Sequence, residues 1–436
     1  MSLLFRWSVL AFLGSLLILY AVFSISRSVD TDLYCKTAES ILAGQVPYRD
    51  FNIEYPPAAL PTFVLPGLFS TECAGGYLYF FAAEMSAVWV AAMFLTAAAS
   101  QRLGRSWLLP ALMIIAGLLL LGNTAIARYD AVVAFALAGA AWSTVARRFT
   151  LAWTFLGFGT LAKLTPIIAT TALYPFRHGR LRGMMVFASI LLAGFIPAVL
   201  ASPAGFVNTF SYHAERGLQI ESFAASILLK MGWVEGVGST GYSAVEVVGG
   251  MTEIAKTATL PLTLILLFVT GAVIWRDVRL GRLGADQFPR YAAALLLAFL
   301  LGSKVLSPQF LIWLLPLVPL ACRRAWGVGV SVLLLLACVL TEGALFGFYQ
   351  KTNPLWSDAI YKGVIVDSQL FLAFVSEKPF YGVDPLNVLL GRNLLLLIIW
   401  LALILYQPGT KLNHSPSRGI ARLFCHKVHE NGRRNH

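Results

Sequence analysis

Asp30 and Asp32 stand two residues apart in a polar stretch that runs on through Arg49, Asp50, Glu54 and Tyr55. A carboxylate held among cations can act as a general base, taking the proton from a hydroxyl as that hydroxyl attacks. Either acid has the right chemistry. Each is equally an ordinary acid at a helix start, with Asp30 or Thr31 as the N-cap. Seven charged residues fall between Asp30 and Glu54 in a chain that is 58% hydrophobic and 12% charged. Chemistry concentrates in such loops because lipid-facing segments cannot carry it.

Cations able to meet a developing negative charge come from other parts of the chain. Lys163 and Lys304 sit in two breaks, Lys163-Leu-Thr-Pro166 and Lys304-Val-Leu-Ser-Pro-Gln309, where proline frees backbone carbonyls. Both lysines suit phosphate binding, with snorkelling to lipid headgroups as the plainer alternative. In Arg128-Tyr129-Asp130, Arg128 could bind an anionic group while Asp130 holds it in place. His213 and Arg216, three residues apart, share a face if their segment is helical. Arg216 then suits a bidentate phosphate contact, and His213 a sugar or phosphate oxygen. Tyr34, Tyr48, Glu54, Tyr55, Gln219, Glu221 and Gln309 are candidates to contact a sugar or an acceptor, although most aromatics in such a chain are interface anchors. Glu84 and Glu342 lie within apolar spans and are assigned to no site.

These residues must be positioned by a membrane scaffold. Over 436 residues the mean hydropathy is +0.74, more apolar surface than a soluble core of that size can hide. The first segment, Leu3–Ile25, is long enough to span and lacks a small-residue cleavage site, so it reads as a retained helix. Spanning stretches follow at about Tyr77–Ser100, Trp107–Gly122, Tyr129–Ala146, Gly183–Ala201, Thr257–Ile274, Trp326–Leu345 and Leu386–Tyr406. Leu151–Pro175 and Tyr291–Ala321 are too long for one crossing and read as pairs of short spans meeting at the two breaks. The fold class is therefore an all-α polytopic membrane protein with about twelve transmembrane helices.

One integral domain occupies 1–406, with outer loops at about 27–70, 202–256 and 346–385 and a basic tail at 407–436. In the first loop, Tyr34, Ala38, Ile41 and Leu42 recur at helical spacing, predicting a short surface helix ended by Gly44. Ala58–Leu68 is apolar but too short to cross. Short basic clusters, among them Arg147/Arg148 and Arg276/Arg279/Arg282, all fall on one side. That is the positive-inside pattern, which puts both termini in the cytoplasm and the polar loops outside. It also accounts for the net charge of +12 without nucleic-acid affinity. Cys35 and Cys73 both fall outside and could form a disulfide. No His/Cys pattern has zinc-ligand spacing.

The combination Asp30-x-x-x-Tyr34, Gly44-x-x-Pro-Tyr48 and Tyr55-Pro-Pro57 resembles the opening of membrane glycosyltransferases of the GT-C fold. It is most similar to glycosyltransferase family 87, which includes polyprenyl-phosphate-mannose-dependent mannosyltransferases. Arg128-Tyr-Asp130, Lys163-Leu-Thr-Pro166, the segment Tyr212–Ser222, and Ser307-Pro-Gln309 with Trp313 are similar to further elements of that group. The likeness runs to about Pro316. It implies a lipid-linked sugar donor, a glycolipid or glycan acceptor, outward catalytic loops and an acid in the first loop as base. That position corresponds to Asp30, with Asp32 as the alternative. A phosphate leaving group needs little protonation, so one base and several cations suffice, with no cofactor and no required divalent metal. A transporter or flippase of lipid-linked sugars, or a ligase using a diphosphate donor, would share many of these features.

Overall fold

The computed structural model describes residues 3–238, 245–348, 366–367, 369 and 383–407. Most of the third outer loop and residues 408–436 of the basic tail lie outside the described residues. In chain order the helices are α1 (Leu3–Ser24), α2 (Val29–Leu42), α3 (Leu60–Gly67), α4 (Gly76–Arg102), α5 (Leu108–Ile126), α6 (Asp130–Val145), α7 (Phe149–Ala162) and α8 (Thr170–Leu173). There follow α9 (Arg180–Ala201), α10 (Pro203–Glu215), α11 (Phe223–Met231), α12 (Gly250–Arg279), α13 (Phe288–Gly302), α14 (Val318–Ala321), α15 (Arg324–Phe348) and α16 (Pro385–Leu405).

Seven of the described helices are long and apolar enough to cross a membrane. Their outward faces are apolar as well: Phe23 of α1, Leu200 of α9 and Phe268 of α12 are all largely exposed. Such surface is stable only against lipid, which makes the chain an integral multi-pass membrane protein. At the centre stands α13, buried along almost its whole length. It packs on α12 and α16 and spaces the two broken segments.

Each break is followed by a proline that opens the next short helix. After α7, the chain turns at Lys163 into extended backbone, then enters a 3-10 helix at Thr165–Ala169 with Pro166 in its first turn. After α13, Pro308 opens a second 3-10 helix, Pro308–Trp313. The second member of each expected pair of spans is therefore a 3-10 helix and a single α turn (α8 or α14). Pro308, Pro316 and Pro319 explain the latter case, since each removes a helical N–H donor.

The surface helix expected in the first loop is α2. Its N-cap is Ser28, in place of the expected Asp30 or Thr31, and Thr31 closes the capping box as the N3 residue: Ser28 Oγ accepts from Thr31 N–H and Thr31 Oγ1 accepts from Ser28 N–H. Gly44 ends the element at φ +87°, a conformation glycine adopts without strain. A disulfide between Cys35 and Cys73 ties α2 to the segment before α4. The short helix α3 lies over it and does not span, as its length requires.

One element was not expected. Strands β1 (Leu218–Gln219), β2 (Gly236–Gly238), β3 (Glu246–Val248) and β4 (Val366–Asp367) form an antiparallel sheet in the order β1-β3-β2-β4. With two or three residues each, they carry no readable period-two pattern.

Candidate active site

The helix α2 decides between the two acids. Residues two apart on a helix diverge by about 200°. Asp32 consequently turns outward and pairs with exposed Arg27, 2.6 Å away. Asp30 turns inward and forms an ion pair with Arg128, which sits in the turn before α6. Asp130 does not hold Arg128, as the sequence suggested. At the N-terminus of α6 it is fully buried, and its Oδ1 accepts from Lys163 Nζ at 2.7 Å and from Trp313 Nε1 at 2.8 Å. The Lys163 ammonium also lies 4.9 to 5.3 Å from the ring centroids of Phe310, Trp313 and Tyr129.

A cavity of about 730 Å³ joins these groups. Asp30, Arg128, Lys163, Arg216 and Lys304 all line it. Four cations thus share a space with the carboxylates of Asp30, Glu54 and Glu221. Tyr55, Gln219 and Gln309 complete the expected set that reaches the cavity. Part of the remaining wall is apolar, and Leu164 and Ile167 in it are also exposed on the outer surface. The volume and mixed lining are those of a ligand site.

The two cations from the later segments are held by their neighbours. Lys304 Nζ donates to the carbonyls of Ala214 at 2.7 Å and Arg216 at 2.6 Å, anchoring the chain where α10 ends. Burial lowers the pKa of Lys304 from its ordinary value, with nearby Lys256 and Arg216 acting in the same direction. Because α10 stops at Glu215, Arg216 is extended and shares no helical face with His213. His213 belongs to α10, but its side chain lies outside the described residues.

Gln219 joins two segments distant in sequence. Its Nε2 donates to Glu221 Oε2 at 2.6 Å and to Ser307 Oγ at 3.2 Å, and its Oε1 accepts from Leu306 N–H at 3.0 Å. This buried network fixes the 218–222 segment against the second break.

Tyr34 and Tyr48 do not reach the cavity. Tyr34 is buried, stacked on Phe63 at 4.3 Å and set edge-on to Tyr129 at 5.8 Å. Tyr48 is buried too, its hydroxyl donating to the carbonyl of Tyr55 at 2.8 Å. Both support the floor beneath Asp30 and Tyr55. Sequence reasoning passed over Thr209, whose Oγ1 donates to the Ile53 carbonyl at 2.8 Å and which lines the cavity. Its helical position, flanked by Asn208 and Phe210, carries no local signal.

Among the described residues, one group has the spacing of a metal site: Cys35, Glu39 and Cys73. Both of its sulfurs are joined in the disulfide.

The profile of glycosyltransferase family 87 matches residues 53–308. No curated protein sequence matches the chain. Among solved structures, the chain is similar to ArnT from Cupriavidus metallidurans bound to undecaprenyl phosphate. The TM-score is 0.51 at 15% identity, covering 92% of this chain and 76% of that one. The apo state of the same protein gives a TM-score of 0.49 at 16% identity over the same shares of the two chains. At these identities the likeness concerns the fold, a GT-C arrangement of membrane helices.

Proposed function

Since the chain belongs to glycosyltransferase family 87, we propose that it moves a sugar from a polyprenyl-phosphate donor to a hydroxyl of a lipid-linked or glycan acceptor. Mannose is the sugar we assign. The observation that carries this reading is the single cavity in which Asp30 meets Arg128, Lys163, Arg216 and Lys304.

In the proposed step Asp30 takes the proton of the acceptor hydroxyl as its oxygen bonds to the anomeric carbon. The bond from that carbon to the phosphate oxygen breaks on the opposite face, inverting the configuration. Polyprenyl phosphate leaves with the bonding electrons. We assign to Arg216 and Lys304 the stabilisation of the charge growing on the phosphate, with Lys163 and Arg128 extending the same positive field. His213 is assigned a further phosphate or sugar contact. Glu54, Tyr55, Gln219, Glu221 and Gln309 are assigned contacts to the sugar or the acceptor. The apolar wall with Leu164 and Ile167 suits the isoprenoid chain where it leaves for the bilayer. That a protein of this fold, ArnT, is seen with undecaprenyl phosphate supports the choice of lipid carrier.

The site is placed on the extracytoplasmic side, with both termini and the basic tail in the cytoplasm. The Cys35–Cys73 disulfide on α2 supports this, because such bonds persist in oxidising compartments. We treat 1–406 as one transferase domain and assign no cofactor or divalent metal.

The reading is tested by incubating the purified protein with polyprenyl-phosphate-linked radiolabelled mannose and extracted glycolipid. Label should move to the acceptor fraction, and a chelator should leave the rate unchanged. Movement of lipid-linked sugar across vesicles without any transfer would instead identify a flippase.

A further inference from the structure

A second recess of about 400 Å³ opens beside the catalytic cavity and has the opposite electrostatic character. It lies between α2, the segment at Asn52–Glu54 and one face of α10. On α10 the residues Asn208, Ser211 and Glu215 recur at i, i+3 and i+7, so they form one polar stripe facing the recess. Asn52 and Glu54 face them from the loop. No lysine or arginine occurs among its described lining residues, whereas four cations line the larger cavity.

That contrast sorts ligands by charge. A phosphate is drawn to the cationic cavity and finds no lysine or arginine among the described residues of the recess, where Glu215 adds a further carboxylate. Carboxylates and amides are the partners that hydroxyl groups require: the former accept, and the latter both donate and accept. Leu33 adds an apolar surface for the C–H face of a sugar ring. The recess is also joined to the chemistry. Leu33, Glu54 and Thr209 line both spaces, and Leu33 follows Asp30 by three residues, on the same face of α2. Asn52 and Asn208 are exposed, so the recess is reached from the polar loops rather than from lipid.

We infer that this recess is the acceptor subsite and that it takes an uncharged, polyhydroxylated glycan headgroup. The inference rests on the glycosyltransferase reading above, but one of its tests does not need a donor. The purified full-length protein is titrated with octyl α-D-mannopyranoside, a neutral acceptor mimic, and with octyl α-D-mannuronide, its anionic counterpart oxidised at C6. Direct binding is compared between wild type, Asn208→Leu, which replaces an amide by slightly bulkier methyl groups, Asn52→Ala, which only removes an amide, and Glu215→Gln. Wild type should bind the mannoside and discriminate against the mannuronide. Asn208→Leu should weaken mannoside binding by about tenfold or more, the worth of a lost hydrogen bond with added bulk. Asn52→Ala should weaken it less, and Glu215→Gln should improve mannuronide binding.

With a polyprenyl-phosphate-mannose donor added, Asn208→Leu should raise the KM for the mannoside by a similar factor while the donor KM stays within about twofold. If mannoside binding and its KM are unchanged in Asn208→Leu, or if wild type binds neither glycoside, the inference is overturned. If binding is lost as expected but no donor supports transfer, the recess stands and the proposed reaction falls.

Discussion

Asp30 of α2 and Arg128 of the turn before α6 form an ion pair in the wall of the larger cavity. Arg128 thereby fixes the direction of a carboxylate that the chain itself supplies only from a short surface helix. Arg128→Ala should lower kcat for sugar transfer by about 10- to 100-fold, since misplacing a reacting group by roughly an ångström is that costly. Arg128→Lys should recover part of the loss, because the charge returns without the planar fork. Steady-state transfer assays at saturating donor check both.

Asp130 binds Lys163 and Trp313 through one oxygen while fully buried. Replacing it with alanine leaves a cation and an indole N–H without their acceptor. Asp130→Ala should therefore destabilise the protein by about 3–5 kcal/mol, the usual cost of breaking a buried pair from one side. Thermal unfolding in lipid nanodiscs reads this as a lowered Tm; an unchanged Tm would remove Asp130 from its structural role.

The Cys35–Cys73 bridge closes a loop with a sequence separation of 38. In the chain-entropy picture a loop of that size stabilises by about 4 kcal/mol. Cys73→Ser, or mild reduction, should lower Tm and also slow transfer, because α2 carries Asp30. Loss of stability with full retention of the transfer rate would show that α2 stays in place without the bridge.

Asp50 receives a hydrogen bond from Val46 N–H and pairs with Arg49, and these partners hold its carboxyl at about 2, Arg49 being the larger influence. A depressed carboxyl contributes stability that is present above its unfolded value of 3.8 and is lost as pH falls through about 2. The loop should consequently keep its form through mildly acidic conditions. Infrared titration of 13C-labelled aspartate should place this group near 2, and Arg49→Ala should move it back towards 3.8.

Close approach makes one glycine irreplaceable. A Cβ at Gly205 would lie 1.8 Å from the carbonyl oxygen of Tyr48. Gly205→Ala must push α10 away from the first loop, costing about 1–3 kcal/mol. The shift would also displace Thr209 and Arg216, so reduced transfer should accompany the lowered Tm. Retained activity and Tm would show that α10 is free to move.

Much of this arrangement could be read from the sequence where local chemistry dictates structure. Lysine followed by proline, twice, marks the two breaks because a charged residue inside an apolar stretch, with a proline that removes a helical N–H close behind it, disfavours a continuous span. Pro197 and Pro261, which have no such lysine beside them, lie inside α9 and α12. Hydropathy marks the long spans for the same kind of reason: lipid imposes one requirement on every residue it touches. Pairings across the chain were not readable. Arg128 and Lys163 both had plausible anionic partners nearby; the packing of α6 against α7 and the second break gives Asp130 to Lys163, and the seating of α2 beside the turn before α6 gives Asp30 to Arg128. Tyr34 and Tyr48 illustrate a second limit. A tyrosine in a polar loop reads alike whether it faces a cavity or, as here, the floor beneath one. The α10 face that lines the second recess is mostly amide and hydroxyl, a composition equally typical of a solvated helix.

The most direct test of the central claim compares Asp30→Asn with Asp32→Asn in the transfer assay. Among the described residues Asp32 pairs with Arg27 at the surface, an interaction worth about 0–1 kcal/mol, so Asp32→Asn should keep its rate within about twofold. Asp30→Asn should lose about 10²- to 10⁴-fold in kcat, as removal of a general base does, while the donor KM changes little. A wild-type rate in Asp30→Asn, or the large loss in Asp32→Asn instead, would contradict the account.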